Sequence, residues 1–206
     1  FEALEAASNK PVGETIRLFL EQPGTPLVSM AISCQADKRA TLRLSQTRAL
    51  PISSTAPPGQ PWSVPVCVRY GIGEQTHRQC LLFEGTQADL ELEQPGCPTW
   101  FHGNAHQRGY YQWVIEGDYL RRLTGDAYAQ LSPAERAALP GMLLTLLESE
   151  RVDLATYMNS LTALAEQTEQ VVLQGVVNGI RRLHHVAVRH ETRDAFAAWV
   201  RALLSR

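Results

Sequence analysis

The stretch FHGNAHQRGYYQWVIEGDYLRRLT, residues 101–124, marks a change in the pattern of the chain. Before it, short runs of Val, Thr, Leu and aromatic residues alternate with Pro and Gly. After it, the chain is rich in Ala, Leu, Glu and Arg. Apolar residues at every second position indicate strands, whereas a period of 3.6 residues indicates helices. The sequence therefore predicts a β part followed by an α part, with the boundary inside this stretch.

Residues 109–116 within this stretch are predicted to form a strand with aromatic side chains on both faces. Because side chains alternate along a strand, Tyr110 should face away from the side that carries Tyr111 and Trp113. Aromatic residues on both faces indicate a strand that is covered on both sides. Such a strand is expected at a seam between two domains.

Seven short strand candidates occupy the β part, and turn residues separate them: 26–34, 41–48, 61–70, 76–84, 88–93, 99–103 and 109–116. Short strands at this spacing predict an antiparallel β-sandwich. A short amphipathic helix is predicted before them, at residues 13–21. The predicted domains are a linker with this helix at 1–22, a β-sandwich at 23–117 and an α-helical domain at 118–206.

The first long helix of the α part should begin at the capping box Ser132-Pro133-Ala134-Glu135. The Ser132 hydroxyl and the Glu135 carboxylate can each accept a hydrogen bond from an otherwise unpaired backbone N–H. Further helices are predicted to begin after caps at Asp153 and Thr168, and a last helix is predicted at 192–205. Helices of this length joined by short turns form antiparallel hairpins, so we expect a HEAT-like solenoid.

The last predicted helix carries an apolar stripe at helical spacing: Phe196, Trp199, Val200, Leu203 and Leu204. One neighbouring helix cannot cover this stripe completely. We therefore expect the helical domain to be truncated and the chain to self-associate through residues 168–206.

Composition excludes some classes of function. The chain has 206 residues and a net charge of −2, which argues against a nucleic-acid partner. No apolar run reaches the roughly 18 residues that a membrane-spanning helix requires. The chain opens on Phe1 rather than Met, so we expect it to be a piece of a longer polypeptide.

The four cysteines, Cys34, Cys67, Cys80 and Cys97, are widely spaced, and none lies in a C-x-x-C pair. A core of this size does not need disulfides, so the cysteines are predicted to be free, partly buried thiols. The compartment stays open, with the cytoplasm slightly favoured.

A search for chemistry finds one cluster that resembles metal ligands, formed by Cys97, His102 and His106. Gly103 and Asn104 between the histidines predict a turn, so the histidines are expected to be solvated rather than ligating. The sequence contains no G-x-S-x-G elbow, no phosphate-binding G-x-x-x-x-G-K-[ST] loop and no G-x-G-x-x-G. We therefore predict no catalytic residue, metal or cofactor for this chain alone.

Five motifs resemble, in order, those of the C-terminal half of the gluzincin aminopeptidases, the zinc enzymes related to alanyl aminopeptidase. They are the PGTPLV entry at 23–28, LSQTR at 44–48, WSVPV at 62–66, Asn104 with Gly109-Tyr110-Tyr111, and LSPAER at 131–136. The resemblance extends to about residue 160. The family's zinc motif H-E-x-x-H and its substrate-amine motif G-x-M-E-N are absent from this sequence. In family members they lie in a catalytic domain that precedes this region.

The resemblance implies a non-catalytic part of a zinc metallo-aminopeptidase, which is a hydrolase. It would bridge the catalytic domain to the helical domain and help wall the substrate chamber, with zinc only in the parent enzyme. Its partners would be the catalytic domain of the same polypeptide and, indirectly, the peptide substrate. Trp62, Tyr110, Tyr111 and Trp113 would anchor the seam. The alternative is a free-standing scaffold that binds a protein through the groove of its helical solenoid.

Overall fold

The computed structural model describes residues 2–9, 12–35, 38–50, 53–57 and 59–205. The chain divides into two compact units, Phe1–Leu120 and Arg121–Arg206. Among the described residues, every strand lies in the first unit, and the second unit is helical.

The first unit begins with two helices, α1 (Glu2–Ser8) and α2 (Val12–Glu21). The described part of the chain then forms seven strands: β1 (Pro26–Ser33), β2 (Arg39–Arg48), β3 (Val64–Ile72), β4 (Gln75–Phe83), β5 (Gln87–Pro95), β6 (Trp100–His102) and β7 (Gln112–Ile115). Each strand overlaps one of the seven predicted ones, so the periodicity located them correctly. Helix α1 was not predicted. β7 is shorter than predicted because Gly109, Tyr110 and Tyr111 precede it in a turn.

The strands form two sheets, one in the order β5-β2-β1-β7 and one in the order β4-β3-β6. The predicted fold class, antiparallel sheets followed by a helical segment, is confirmed. One pairing departs from it, because β7 runs parallel to β1, with Gln112 opposite Leu27. Alternate residues of each sheet are buried, as Leu42 and Leu44 show in β2 and Val66 and Val68 in β3. This alternation is what a strand with one face on the core produces.

The remaining helices are α3 (Tyr119–Thr124), α4 (Pro133–Glu148), α5 (Leu154–Leu164), α6 (Gln170–Val186) and α7 (Arg193–Leu204). α4 packs against both α5 and α6. The core of this unit contains Leu139, Leu143, Leu146, Leu161 and Leu183. The first residue of α6 is preceded by Glu169, not by the predicted cap Thr168, and no side chain caps this helix. Among the described residues, no helix is both long enough and apolar enough to cross a membrane.

All four cysteines form disulfides, Cys34–Cys97 and Cys67–Cys80, so the prediction of free thiols was wrong. Cys67 and Cys80 lie directly opposite each other in the β3–β4 register. Cys34 follows the end of β1, and Cys97 follows the end of β5. Both pairings depend on the order of the strands in the two sheets. The spacing of cysteines along the chain does not contain that information.

Candidate functional site

A turn closed by the side chain of Asn104 connects β6 to β7. The Asn104 amide donates a hydrogen bond to the Gly109 carbonyl and accepts one from the Gly109 N–H, each at 2.8 Å. Only 1% of Asn104 is exposed. A carboxamide is suited to this position because one side chain supplies both a donor and an acceptor. Asn104 thus satisfies both backbone groups of Gly109.

Tyr111 ties this turn to β3. Its hydroxyl donates to the Gly103 carbonyl at 2.7 Å and lies 3.3 Å from the Cys67 carbonyl. Burial raises the pKa of Tyr111, so the neutral donor is the form present in the folded chain. Gly109 lies against the Tyr111 ring, and a Cβ at this position would overlap it. The spacing of Asn, Gly and paired Tyr in the motif is therefore explained by packing and backbone hydrogen bonds.

Gln46, in the LSQTR motif, likewise binds both backbone groups of one residue, Trp62. Its Oε1 accepts from the Trp62 N–H at 3.0 Å, and its Nε2 donates to the Trp62 carbonyl at 2.8 Å. Nε2 also donates to the Gly85 carbonyl at 2.6 Å. The guanidinium of Arg48, two residues on, lies 5.9 Å from the centre of the Trp62 ring. Gln46 and Arg48 thus both hold the segment that enters β3.

The four predicted seam residues have different environments. Trp62, Tyr111 and Trp113 are buried, with 1%, 6% and 1% of their surfaces exposed. Tyr110 is 70% exposed and lies before the first residue of β7, so the predicted cover on both faces does not include it. The Tyr110 ring lies 5.9 Å from the ring of Phe19 in α2, and the next residue, Leu20, is 71% exposed. Tyr110 and Leu20 are thus two exposed apolar side chains of the first unit.

Ser132 and Glu135 form a capping box at the start of α4. The Glu135 carboxylate accepts from the Ser132 N–H at 2.8 Å, and the Ser132 hydroxyl accepts from the Glu135 N–H at 3.4 Å. Glu135 is fully buried. These bonds satisfy donors that a helix start leaves unpaired. Both residues therefore have a structural task in the second unit.

A polar cluster beside this cap links α4 to the residue before α6. Arg136 donates to the Glu169 carboxylate at 2.7 Å, and the Tyr128 hydroxyl donates to it at 3.1 Å. The hydrogen bond from Arg136 holds the pKa of Glu169 below its usual value. Burial, followed by the effect of Glu169, raises the pKa of Tyr128 to about 12. At neutral pH the cluster therefore contains a carboxylate, a guanidinium and a neutral phenol.

The Cys97, His102 and His106 cluster does not fit a zinc ion. Cys97 is bonded to Cys34, and a disulfide sulfur is not a thiolate ligand. His102 is 1% exposed, so the expectation that it is solvated was wrong. Its Nδ1 accepts from the Asn104 N–H at 3.2 Å, and its ring lies 4.8 Å from that of Trp113. Across the described ranges, no group of three or more His, Cys, Asp or Glu residues could hold a metal ion.

An apolar groove of about 240 Å³ lies between α5, α6 and α7. Its lining includes Leu154, Met158, Leu183 and Phe196. Trp199 of the α7 stripe reaches α5, where its Nε1–H donates to the Thr162 hydroxyl at 3.4 Å. Leu203 is buried, whereas Leu204 is 64% exposed.

Comparisons with known proteins agree with this picture. The family model of the ERAP1-like C-terminal domain matches residues 100–206, just over half of the chain, and the chain belongs to this family. The chain is 24% identical over 88% of its length to the puromycin-sensitive aminopeptidase of Caenorhabditis elegans. It is 26% identical over 85% of its length to aminopeptidase M1 of Arabidopsis thaliana. It is also 22% identical over 88% of its length to the tricorn protease-interacting factor F2 of Thermoplasma acidophilum.

The matched regions are a small part of these relatives. The chain covers 19% of the first, 20% of the second and 21% of the third. It therefore spans about a fifth of the length of the curated relatives that it matches. The resemblance to the C-terminal region of the aminopeptidases is confirmed. The motifs located Asn104, Gln46 and Tyr111, but only the structure shows which backbone groups these side chains bind.

Proposed function

We propose that this chain is a non-catalytic C-terminal part of a zinc metallo-aminopeptidase. The match to the ERAP1-like C-terminal domain carries the proposal. The use of the motif side chains supports it, because Asn104, Gln46 and Tyr111 all bond to backbone groups. In such an enzyme, a metal-bound water and a carboxylate base perform the hydrolysis. Both would belong to a catalytic domain elsewhere in the parent polypeptide.

The first unit would bridge that catalytic domain to the helical unit. The exposure of two large apolar side chains, Tyr110 and Leu20, supports this role, since exposed apolar surface is typical of interaction sites. Trp62, Tyr111 and Trp113 would be the buried anchors of this seam. By the family resemblance, the helical unit would help wall the chamber that receives the peptide substrate.

The purified chain alone tests the catalytic part of this proposal. We expect no release of chromophore from aminoacyl anilides and no stoichiometric zinc by elemental analysis. Turnover that is sensitive to chelators and persists through purification would contradict the proposal. One zinc per chain that disappears in a His102→Ala variant would also contradict it.

The bridging role is tested in the complete parent polypeptide with Leu20→Ser and Tyr110→Ser. Each variant should weaken the contact with the catalytic domain and so increase limited proteolysis between the two regions. Leu154→Ser is the matched control, because Leu154 is 45% exposed but lies in the second unit, outside residues 168–206. Equal proteolysis in all three variants and the unmodified protein would argue against the bridge.

The alternative, a free-standing protein-binding scaffold, has the apolar groove of the second unit in its favour. The open reading frame distinguishes the two functions. An upstream domain with H-E-x-x-H supports the aminopeptidase part, whereas a start codon near Phe1 supports the scaffold.

Self-association through residues 168–206 is part of the same proposal. The exposed surfaces of Val171, Val186 and Leu204 support it. Sedimentation of the chain should show dimers at roughly 100 μM, where micromolar contacts are populated. Trp199→Glu should weaken them while helical content, followed by circular dichroism, is retained. A strict monomer at that concentration would contradict this interface.

The two disulfides bear on the compartment. Disulfides persist in oxidising environments and are rare in the cytoplasm. We therefore favour an oxidising compartment over the cytoplasm, which the sequence had slightly favoured. Alkylation of the chain in its native source, before any lysis under reducing conditions, should label none of its four cysteines. Complete labelling of the four cysteines would indicate that the chain resides in a reducing compartment.

A further inference from the structure

The Cys67–Cys80 disulfide lies on the outward face of the β4-β3-β6 sheet. Cys67 lies between Val66 and Val68, which are both buried, so its side chain is on the opposite side of β3. Cys80 is exposed on β4, the end strand of this sheet. A reagent in solution can therefore approach the Cys80 sulfur without opening the core.

A positive charge lies beside the other sulfur atom. The Arg78 guanidinium donates to Cys67 Sγ at 3.5 Å. A neighbouring cation lowers the pKa of a thiol, and a thiol of lower pKa leaves faster in thiol–disulfide exchange. For the second disulfide, the neighbour seen at Cys97 Sγ is the uncharged hydroxyl of Tyr119, at 3.7 Å.

The two bonds also differ in what they hold together. Cys67 and Cys80 are 13 residues apart, and the β3–β4 ladder pairs their strands from Val64 with Phe83 to Ile72 with Gln75. Cys34 and Cys97 are 63 residues apart, and they connect the ends of β1 and β5, which are not adjacent in the sheet. Opening either bond leaves the surrounding strands paired, because β3 pairs directly with β4, and β2 pairs with both β1 and β5.

From these observations we propose that Cys67–Cys80 is a site of thiol–disulfide exchange with an external dithiol. Cys34 and Cys97 are exposed as well, but the neighbour seen at Cys97 Sγ is an uncharged hydroxyl, so this second bond exchanges more slowly. A thiolate of the dithiol attacks Cys80 Sγ and forms a mixed disulfide. The electron pair of the broken S–S bond leaves on Cys67 Sγ, next to Arg78. The second thiolate of the dithiol then attacks the first sulfur of the same dithiol, which is bonded to Cys80 Sγ. This step closes the disulfide of the dithiol and releases the Cys80 thiolate. The dithiol loses two electrons and two protons, and the two cysteines gain them.

The test is a time course of the folded 206-residue chain in dithiothreitol. Samples are quenched with iodoacetamide, and labelled cysteines are located by peptide mass spectrometry. We expect Cys67 and Cys80 to become labelled about tenfold faster than Cys34 and Cys97. Far-ultraviolet circular dichroism should not change during the fast phase. Equal rates, faster opening of Cys34–Cys97, or loss of strand signal with the first labels would overturn the proposal.

Variants of Arg78 test the contribution of its charge. Arg78→Gln should slow the labelling of Cys67 about threefold, and Arg78→Lys should restore most of the rate. Arg43→Gln is the matched control, since this arginine is also exposed on a strand but forms an ion pair with Asp89 on β5. An unchanged rate in Arg78→Gln, or an equal loss in Arg43→Gln, would overturn the role of the charge.

Discussion

Asn104 and Tyr157 show two ways in which a buried polar side chain is accommodated. Asn104 uses its donor and its acceptor on Gly109. Tyr157 is fully buried in the second unit, and its hydroxyl has no hydrogen-bond partner within the described part of the chain. A buried polar group that is paired stabilises the fold, whereas an unpaired one lowers stability. Substitutions at the two positions should therefore have opposite effects.

Asn104→Asp removes the donor to the Gly109 carbonyl and places a charge at a position that is 1% exposed. We expect the free energy of unfolding, measured by urea denaturation, to fall by about 3 kcal/mol. Asn178→Asp makes the same chemical change at an exposed position of α6, and it should stay within about 0.5 kcal/mol of the unmodified chain. Similar effects for the two variants would show that the Asn104 bonds do not close the turn.

Tyr157→Phe removes an unpaired hydroxyl, so stability at pH 7 should be unchanged or higher by about 1 kcal/mol. Burial, and then the charge of Glu148, raises the pKa of Tyr157 from 10.0 to about 12. Because the pKa of Tyr157 is higher in the folded chain than in the unfolded chain, its contribution to the free energy of unfolding is complete below pH 10. This contribution is lost as the pH rises towards 12. The Phe variant should therefore lose less stability in urea titrations above pH 10.

Tyr111→Phe is the control for this comparison, because its hydroxyl donates to Gly103. The free energy of unfolding of this variant should be about 1–2 kcal/mol lower than that of the unmodified chain at pH 7. If Tyr157→Phe were destabilised by as much as Tyr111→Phe, the Tyr157 hydroxyl would have a partner in solution.

The contact between α4 and α6 depends on a proline and a glycine. Pro140 lies inside α4, which continues through it from Pro133 to Glu148. A proline in a helix interior removes one backbone hydrogen bond, which alone lowers the stability of the helix. Here the Pro140 ring packs where Gly175 of α6 has no side chain, so the two helices approach closely at this point.

Gly175→Ala should weaken this contact, since the new Cβ would lie 2.6 Å from Pro140 Cβ. We expect the free energy of unfolding, measured by urea denaturation, to fall by about 1–2 kcal/mol, because the cost of overpacking exceeds the gain in helix propensity. Gly141→Ala is the matched control in α4, where nothing lies within 4 Å of an added Cβ. It should be neutral or stabilising by up to about 1 kcal/mol. A stabilised Gly175→Ala variant would mean that the helices separate without loss.

The disulfides act at the scale of the whole chain, although both lie in the first unit. Loop closure in the unfolded chain predicts about 4 kcal/mol of stabilisation from Cys34–Cys97 and about 3 kcal/mol from Cys67–Cys80. The double variant Cys34→Ala with Cys97→Ala should therefore unfold at a lower urea concentration than Cys67→Ala with Cys80→Ala. The reverse order would indicate that strain or residual structure outweighs the length of the loop.

The sequence by itself determined the strands, the caps at Ser132 and Asp153, and the change from sheet to helix. These features depend on residues a few positions apart, and such residues set the local backbone. The motifs also determined the family, because they combine residue types that this packing requires. The bonds of Asn104 to Gly109 belong to the same short range.

Only the tertiary structure decided which distant elements meet. It placed β7 parallel to β1, joined the cysteines in pairs and buried His102 against Trp113. It also left Tyr110 exposed, although the strand pattern indicated cover on both faces. The physical reason is that the order of the strands depends on the total apolar surface that both sheets bury. The order of the strands therefore cannot be derived from the pattern of residues that are neighbours in the chain.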